Sequence, residues 1–332
     1  MTLFKLTKTL INIPSVTGDE QKIAEFLRTY LKGLGFQIRD QEIEPERKNI
    51  LAYLHRKPRV IFNTHMDTVS PFMPAREDKH YIYGRGACDA KGIMAAMICA
   101  AQNLKEQGVD EIGLLFVVGE ETDSIGAKMS KNLKIGSEYI IVGEPTSNKL
   151  GKGHLGLVAL KLHAQGKAAH SALPHLGDSA VEKLLNALYN IRSLDFGESE
   201  LGKNTLNIGT IEGGIAHNVI ADSASAAISI RSSVPSEIVI KKIDQAINNA
   251  VDVEVLTISE PQTTFTIPNM ELTTLPFSTD IPHLKNCGEP LLIGPGLADF
   301  AHTVDEKIEK DQLGEAVEIY QNLVTTLLKQ KG

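Results

Sequence analysis

The 332-residue chain contains no tryptophan, and aromatic residues make up only 5% of it, so recognition by indole stacking is excluded. Cysteine is scarce as well. Cys88, Cys99 and Cys287 are odd in number and awkwardly spaced, which suits reduced thiols rather than a disulfide framework and points to the cytosol. No apolar run approaches the ~18 residues of a membrane-spanning helix. Nor is there a lysine and arginine block: the formal charge is -7, which argues against nucleic acid as the main partner. The expectation is a cytoplasmic protein whose partner is a small molecule, not nucleic acid and not a membrane. The first twenty residues carry Lys5 and Lys8 but also Pro14, Asp19 and Glu20. They lack a small-residue cleavage signature and read as an opening helix, not a leader.

What is present is a chain long enough for two cores. Apolar residues at helical spacing over residues 2–33, interrupted at 14–18, predict two helices. Short β-rich runs follow at 49–54 and 59–64. A glycine-rich loop at 83–92 opens a long helix through residue 101, and further strands are expected at 112–118 and 139–142. Strands alternating with helices predict an α/β fold, with polar residues just past the strand ends lining a crevice. After Pro145 the pattern changes to strand, helix, strand, strand, helix, strand over residues 155 to the 250s, a small ferredoxin-like α+β unit. A Gly-Pro loop at 293–300 and an amphipathic helix at 313–328 then resume the first pattern. The expected architecture is a mixed-sheet catalytic domain with helices on both faces (1–150 and 259–332), interrupted by a smaller α+β domain (151–258).

Five metal-ligand side chains fall at strand ends or in irregular loops. His65 follows the run 60–64, with Asp67 two residues on. Asp89 stands in Gly-Arg-Gly-Ala-Cys-Asp-Ala-Lys-Gly (84–92), where it could equally be a helix cap. Glu120 and Glu121 follow Gly119. Neighbouring residues on a strand point to opposite faces, so both can serve one cavity only if the chain turns at that glycine. Glu144 precedes Pro145, and His302 follows Gly294-Pro295-Gly296. Singly each is bland. Together they fit two divalent cations with Asp89 bridging. Zinc is the default for this nitrogen and oxygen set, with cobalt or manganese as alternatives. Such a pair, roughly 3.5–4 Å apart, activates water and polarises a carbonyl. The remaining glutamate can serve as general base.

The strings HMDTV (65–69), GRGACDAKG (84–92), GEE (119–121), GEP (143–145), GKAAHSALPHLG (166–177), GGIAHNVIADSA (213–224) and GPGLADFAHTVDE (294–306) stand in order. With them the chain resembles the metal-dependent aminoacylase, deacetylase and carboxypeptidase family over nearly its whole length. That family includes acetylornithine deacetylase and succinyl-diaminopimelate desuccinylase. The resemblance implies that His65 and Glu144 hold one metal, Glu121 and His302 the other, that Asp89 bridges, and that Glu120 is the general base. Asp67 would take a hydrogen bond from the second nitrogen of His65 and fix its tautomer. The inserted domain would act as a lid or in homodimerisation. His170 would then assist the developing oxyanion, and Asn218 and Arg231 would contact substrate. His163, His175 and His217 match no metal position and read as structural.

The implied activity is a zinc-dependent amidohydrolase acting on an N-acyl amino acid. The loop 294–306 looks more like the acetylornithine deacetylase branch, so N-acetylornithine in amino-acid biosynthesis leads. The alternatives are succinyl-diaminopimelate and the bond cleaved by a dipeptidase or carboxypeptidase. A non-catalytic homologue is disfavoured because the five ligands and the base are all present. A nucleotide site is disfavoured because Gly84-x-Gly86 lacks the third glycine of the dinucleotide fingerprint.

Overall fold

The strands expected in the first half of the chain form the centre of a mixed sheet. Val60–His65 runs parallel to Ile112–Val117 on one side and Tyr139–Val142 on the other, and Glu289–Leu292 lies parallel to Tyr139–Val142. Val60–His65 and Ile112–Val117 are buried along their whole length, as parallel strands covered on both faces must be. Arg47–Tyr53 pairs antiparallel with Ile112–Val117, and Gln37–Glu44 extends that edge as a hairpin.

A computed structural model describes residues 1–330 and divides into two units. The first comprises Met1–Lys152, Thr264–Thr273 and the chain from Thr279 onward. Alternation along its strands assigns two faces. Ile50, Ala52, Val60, Phe62, Leu114 and Phe116 join one apolar core with residues of the helices Leu3–Ile11, Gln21–Gly33, Lys91–Glu106 and Lys310–Lys329. Leu51, Ile61, Leu115 and Val117 are buried outside that core, on the other face; the short helix Ile125–Ser130 packs on Gln37–Glu44 and Arg47–Tyr53, and Ile281–Leu284 packs on Ile125–Ser130. The mixed sheet with helices on both faces is therefore observed.

The second unit, Gly153–Thr263 with Thr274–Ser278, has its own core. Its sheet is antiparallel throughout, in the order Thr205–Gly213, Ser223–Ser232, Gly156–Gln165, Asp252–Ser259. The helices Ala180–Arg192 and Ser236–Ile247 supply the apolar residues that cover it. Gly156–Gln165 alternates buried and half-buried residues without a break until its last position, the pattern of a strand with one face against a core. The Ser179 hydroxyl caps Ala180–Arg192 by accepting the Glu182 N–H at 3.3 Å.

Candidate metal centre

Every proposed ligand in the first unit leaves the end of a buried strand or sits in a braced loop. His65 ends Val60–His65 and is 2% exposed. Its Nδ1 lies 2.9 Å from the backbone carbonyl of Asp67 and 3.6 Å from the Asp67 carboxylate. The tautomer-fixing partner expected from sequence was the carboxylate; the shorter contact is to the carbonyl of the same residue. The Asp67 side chain has other work. It accepts the Thr17 hydroxyl at 2.8 Å and the N–H groups of Glu120 and Glu121, each at 3.1 Å. The chain turns at Gly119, whose φ is +78°, and Asp67 grips the turn from below. The turn that the sequence requires at this glycine is present.

The loop carrying Asp89 is held by a buried ion pair that sequence reasoning missed. Arg85 Nη1 lies 2.6 Å from Glu306, and both side chains are almost fully enclosed. The other Glu306 oxygen accepts the N–H groups of Cys88 and Asp89 at 3.3 Å. Lys91 anchors the start of the following helix by donating to the Ile13 carbonyl at 2.7 Å, and burial pushes its ammonium down to about 7. Gly92 is required there, because a Cβ would stand 2.2 Å from the Ala87 carbonyl oxygen. The signal for Glu306 was present in HTVDE, but its partner Arg85 lies 221 residues away.

The two oxygens of Asp89 face different histidines: Oδ1 is 3.0 Å from His65 Nε2, and Oδ2 is 3.4 Å from His302 Nε2. His302 Nε2 also lies 2.9 Å from Glu121. Ligand atoms of His65, Asp89 and Glu121 fall within 4.8 Å of one another. Glu144 follows Tyr139–Val142, and its carboxyl is pushed well above the usual range first by burial and then by the charge of Asp89. Glu120 is pushed well above the usual carboxyl range, first by withdrawal from water and then by the charge of Glu144. Burial alone would depress His65, but hydrogen bonds to Asp67 and Asp89 carry it well above its ordinary value. The same kind of contact to Asp89 and Glu121 lifts His302 to about 10. Many carboxylates around two imidazoles form a surplus of negative charge, and an N/O donor set of this kind fits hard or borderline divalent cations.

The model of peptidase family M20/M25/M40 matches residues 61–326, which includes the five candidate ligands and Glu120. The chain belongs to this family. A peptidase M20 domain-containing protein of Schizosaccharomyces pombe is 39% identical over 97% of this chain and 84% of its own length. A probable carboxypeptidase of Emericella nidulans is 34% identical over 98% of this chain and 89% of its own. The crystal structure of the aminopeptidase PepT from Bacillus cereus shares the fold, with a TM-score of 0.84 at 21% identity and 98% coverage of both chains.

In this M20 chain the residues expected to act from the inserted domain all lie in the second unit. His170 is exposed on the short strand Ala169–His170, and its Nδ1 accepts the Ala172 N–H at 3.1 Å. Asn218 is exposed in the turn before Val219–Ile220, and its carbonyl takes the Ser171 N–H. Arg231 is half-buried on Ser223–Ser232, where burial lowers its guanidinium somewhat; it forms no ion pair among the described residues. Among the described residues no helix is long and apolar enough to cross a membrane.

Proposed function

We propose that the chain is a two-metal hydrolase that cleaves the amide bond of a small N-acyl amino acid. The observation that carries this reading is the split of Asp89 between His65 and His302, beside a glutamate whose carboxyl is raised. Two divalent cations, zinc by default, held by His65, Glu144, Glu121, His302 and a bridging Asp89 would supply an activated water and an electrophile for the amide carbonyl. Glu120 receives the proton of the attacking water and returns it to the leaving amine nitrogen, a task suited to a carboxyl that binds a proton readily. Asp67 orients Glu120 through its backbone N–H. His170 steadies the oxyanion, and Asn218 and Arg231 hold the substrate carboxylate.

The string GPGLADFAHTVDE favours an N-acetyl amino acid, with N-acetylornithine first. A second reading, a carboxypeptidase or dipeptidase, is favoured by the description of the Emericella nidulans relative as a probable carboxypeptidase. The chemistry is the same in both, since a dipeptide is itself an N-acyl amino acid. The decisive assay gives zinc- or cobalt-restored protein acetylornithine, other acetyl amino acids, succinyl-diaminopimelate and dipeptides. Chelator-sensitive acetate release from acetylornithine supports the first reading, and release of a C-terminal residue from peptides the second. No turnover on any of them, with metal bound, rejects the hydrolase. The cytoplasmic homodimer belongs to the same proposal, and light scattering on purified protein tests the dimer.

A further inference from the structure

The glutamate turn is gripped by Asp67, and Asp67 is itself held by a segment outside the residues that the family model matches. That segment, residues 15–17, lies between the helices Leu3–Ile11 and Gln21–Gly33 and runs beside the string that follows Val60–His65. Val16 bridges Thr68 in parallel; the Thr68 N–H donates to the Ser15 carbonyl at 2.9 Å, and the Thr17 N–H donates to the Thr68 carbonyl at 3.2 Å. The buried Ser15 hydroxyl donates to the Met66 carbonyl at 2.8 Å. Residues 66–68 are therefore held from two sides, since the Met66 N–H donates to the Val117 carbonyl of the neighbouring strand at 2.8 Å.

The last residue of the segment touches the carboxylate itself. The Thr17 hydroxyl donates to Asp67 Oδ2 at 2.8 Å; Oδ2 also accepts the Glu121 N–H, and Oδ1 accepts the Glu120 N–H. Oδ1 has another partner within reach. His65 Nδ1 stands 3.6 Å from it, while the closer contact of that nitrogen is the Asp67 carbonyl at 2.9 Å. Asp67 is fully buried, so its carboxylate must find donors within the fold, and two sets face it: the imidazole and the N–H groups of the turn. The torsion that chooses between them is a soft one in aspartate. Rotation toward the ring would move both oxygens, and the Thr17 hydroxyl opposes it by pinning Oδ2.

We propose that Thr17 is a positioning residue for Glu120 and Glu121, its hydroxyl committing the Asp67 carboxylate to the glutamate turn instead of the His65 ring. The consequence for turnover rests on the amide-hydrolase reading, in which Glu120 carries the proton. The consequence for the turn does not.

The test compares Thr17→Val, which keeps the shape and removes the donor, with Thr17→Ser, which keeps the donor. In metal-restored protein Thr17→Val is expected to lower kcat per folded, metal-loaded chain by about tenfold or more with KM nearly unchanged, because a bond to a charged acceptor is lost and the base is no longer held in place. Thr17→Ser should restore most of the loss. In metal-free protein, hydrogen exchange at Glu120 and Glu121 should quicken by about tenfold in Thr17→Val and return in Thr17→Ser, with Gln21–Gly33 exchanging as in the wild type. A wild-type kcat in Thr17→Val overturns the proposal, and so does unchanged exchange at the turn. A loss that Thr17→Ser fails to restore, or one shared by Gln21–Gly33, overturns it too, because Thr17 would then act through packing. Should Thr17→Val not fold, Thr17→Ala removes the same donor and is read in the same way; failure of both to fold makes the residue structural and rejects the positioning role. If the wild type hydrolyses nothing, the hydrolase reading fails, and the exchange arm still decides whether Thr17 holds the turn.

Discussion

Glu120 and the two histidines show how much a residue's role depends on its immediate neighbours. Glu120 stands outside the compact group His65, Asp89 and Glu121, yet burial and the charge of Glu144 raise its carboxyl well above the usual range. Glu120→Gln is expected to lower kcat by several orders of magnitude while elemental analysis finds the metal content of the wild type. Substantial turnover in that variant would falsify the assignment of the base. His65 and His302 both have raised pKa values, the latter about 10, because Asp89 and its neighbours stabilise the imidazolium. Both therefore hold a proton more firmly than a free imidazole, and each must shed it to become a ligand. Metal affinity should rise with pH through neutrality and on toward the His302 value. Calorimetry at pH 7 in buffers of different ionisation enthalpy should record proton release on loading, from the raised Glu144 carboxyl as well as from the two histidines. The residue types and their order were legible in the sequence. The exchange of partners at Asp67 was not, because hydrogen bonds to a turn at the end of the neighbouring strand, more than fifty residues on, leave no local pattern.

At the scale of elements, the loop 84–90 is presented by a brace at its back, not by its own conformational preference. Glu306 binds two of its N–H groups and pairs with Arg85 inside the fold. Arg85→Met leaves the Glu306 carboxylate buried without its partner, and should destabilise the fold by about 3–5 kcal/mol in thermal or denaturant melts. Metal binding should weaken as well, since Asp89 loses its fixed position; a variant of wild-type stability and metal affinity would show the brace to be dispensable. The strands that sequence reading found, such as Val60–His65 and Ile112–Val117, are buried on both faces. The strand it missed, Gln37–Glu44, reads QIRDQEIE. Its charged residues belong to an exposed edge, and pairing with Arg47–Tyr53, not its own composition, makes it a strand. The three-residue strands Tyr81–Tyr83 and Lys307–Glu309 escaped for the same reason: they exist through their mutual pairing across more than two hundred residues of chain.

At the scale of the molecule, each unit buries a core of its own, and the centre that fits cations belongs wholly to the first. A ligand stabilises only the folded unit that binds it, by about 2.7 kcal/mol at a hundredfold excess over Kd. Chelation should therefore increase hydrogen exchange in peptides from Met1–Lys152 and from the chain after Thr279, and leave Gly153–Thr263 nearly unchanged. Equal deprotection of both units would show that the metals are not confined to the first or that the units open together. The return of the chain to its first pattern after an inserted plait could be read from the sequence, since hydrophobic periodicity is a local property and survives interruption. So could the family, because its ligands lie in short strings whose residue types and order the chemistry constrains. Only the tertiary structure decided which oxygen of Asp89 meets which histidine, that Asp67 serves the glutamate turn, and that Arg85 and Glu306 meet. Those are distances between residues far apart in the chain. They are set by how strands stack and turns close, which no single segment encodes.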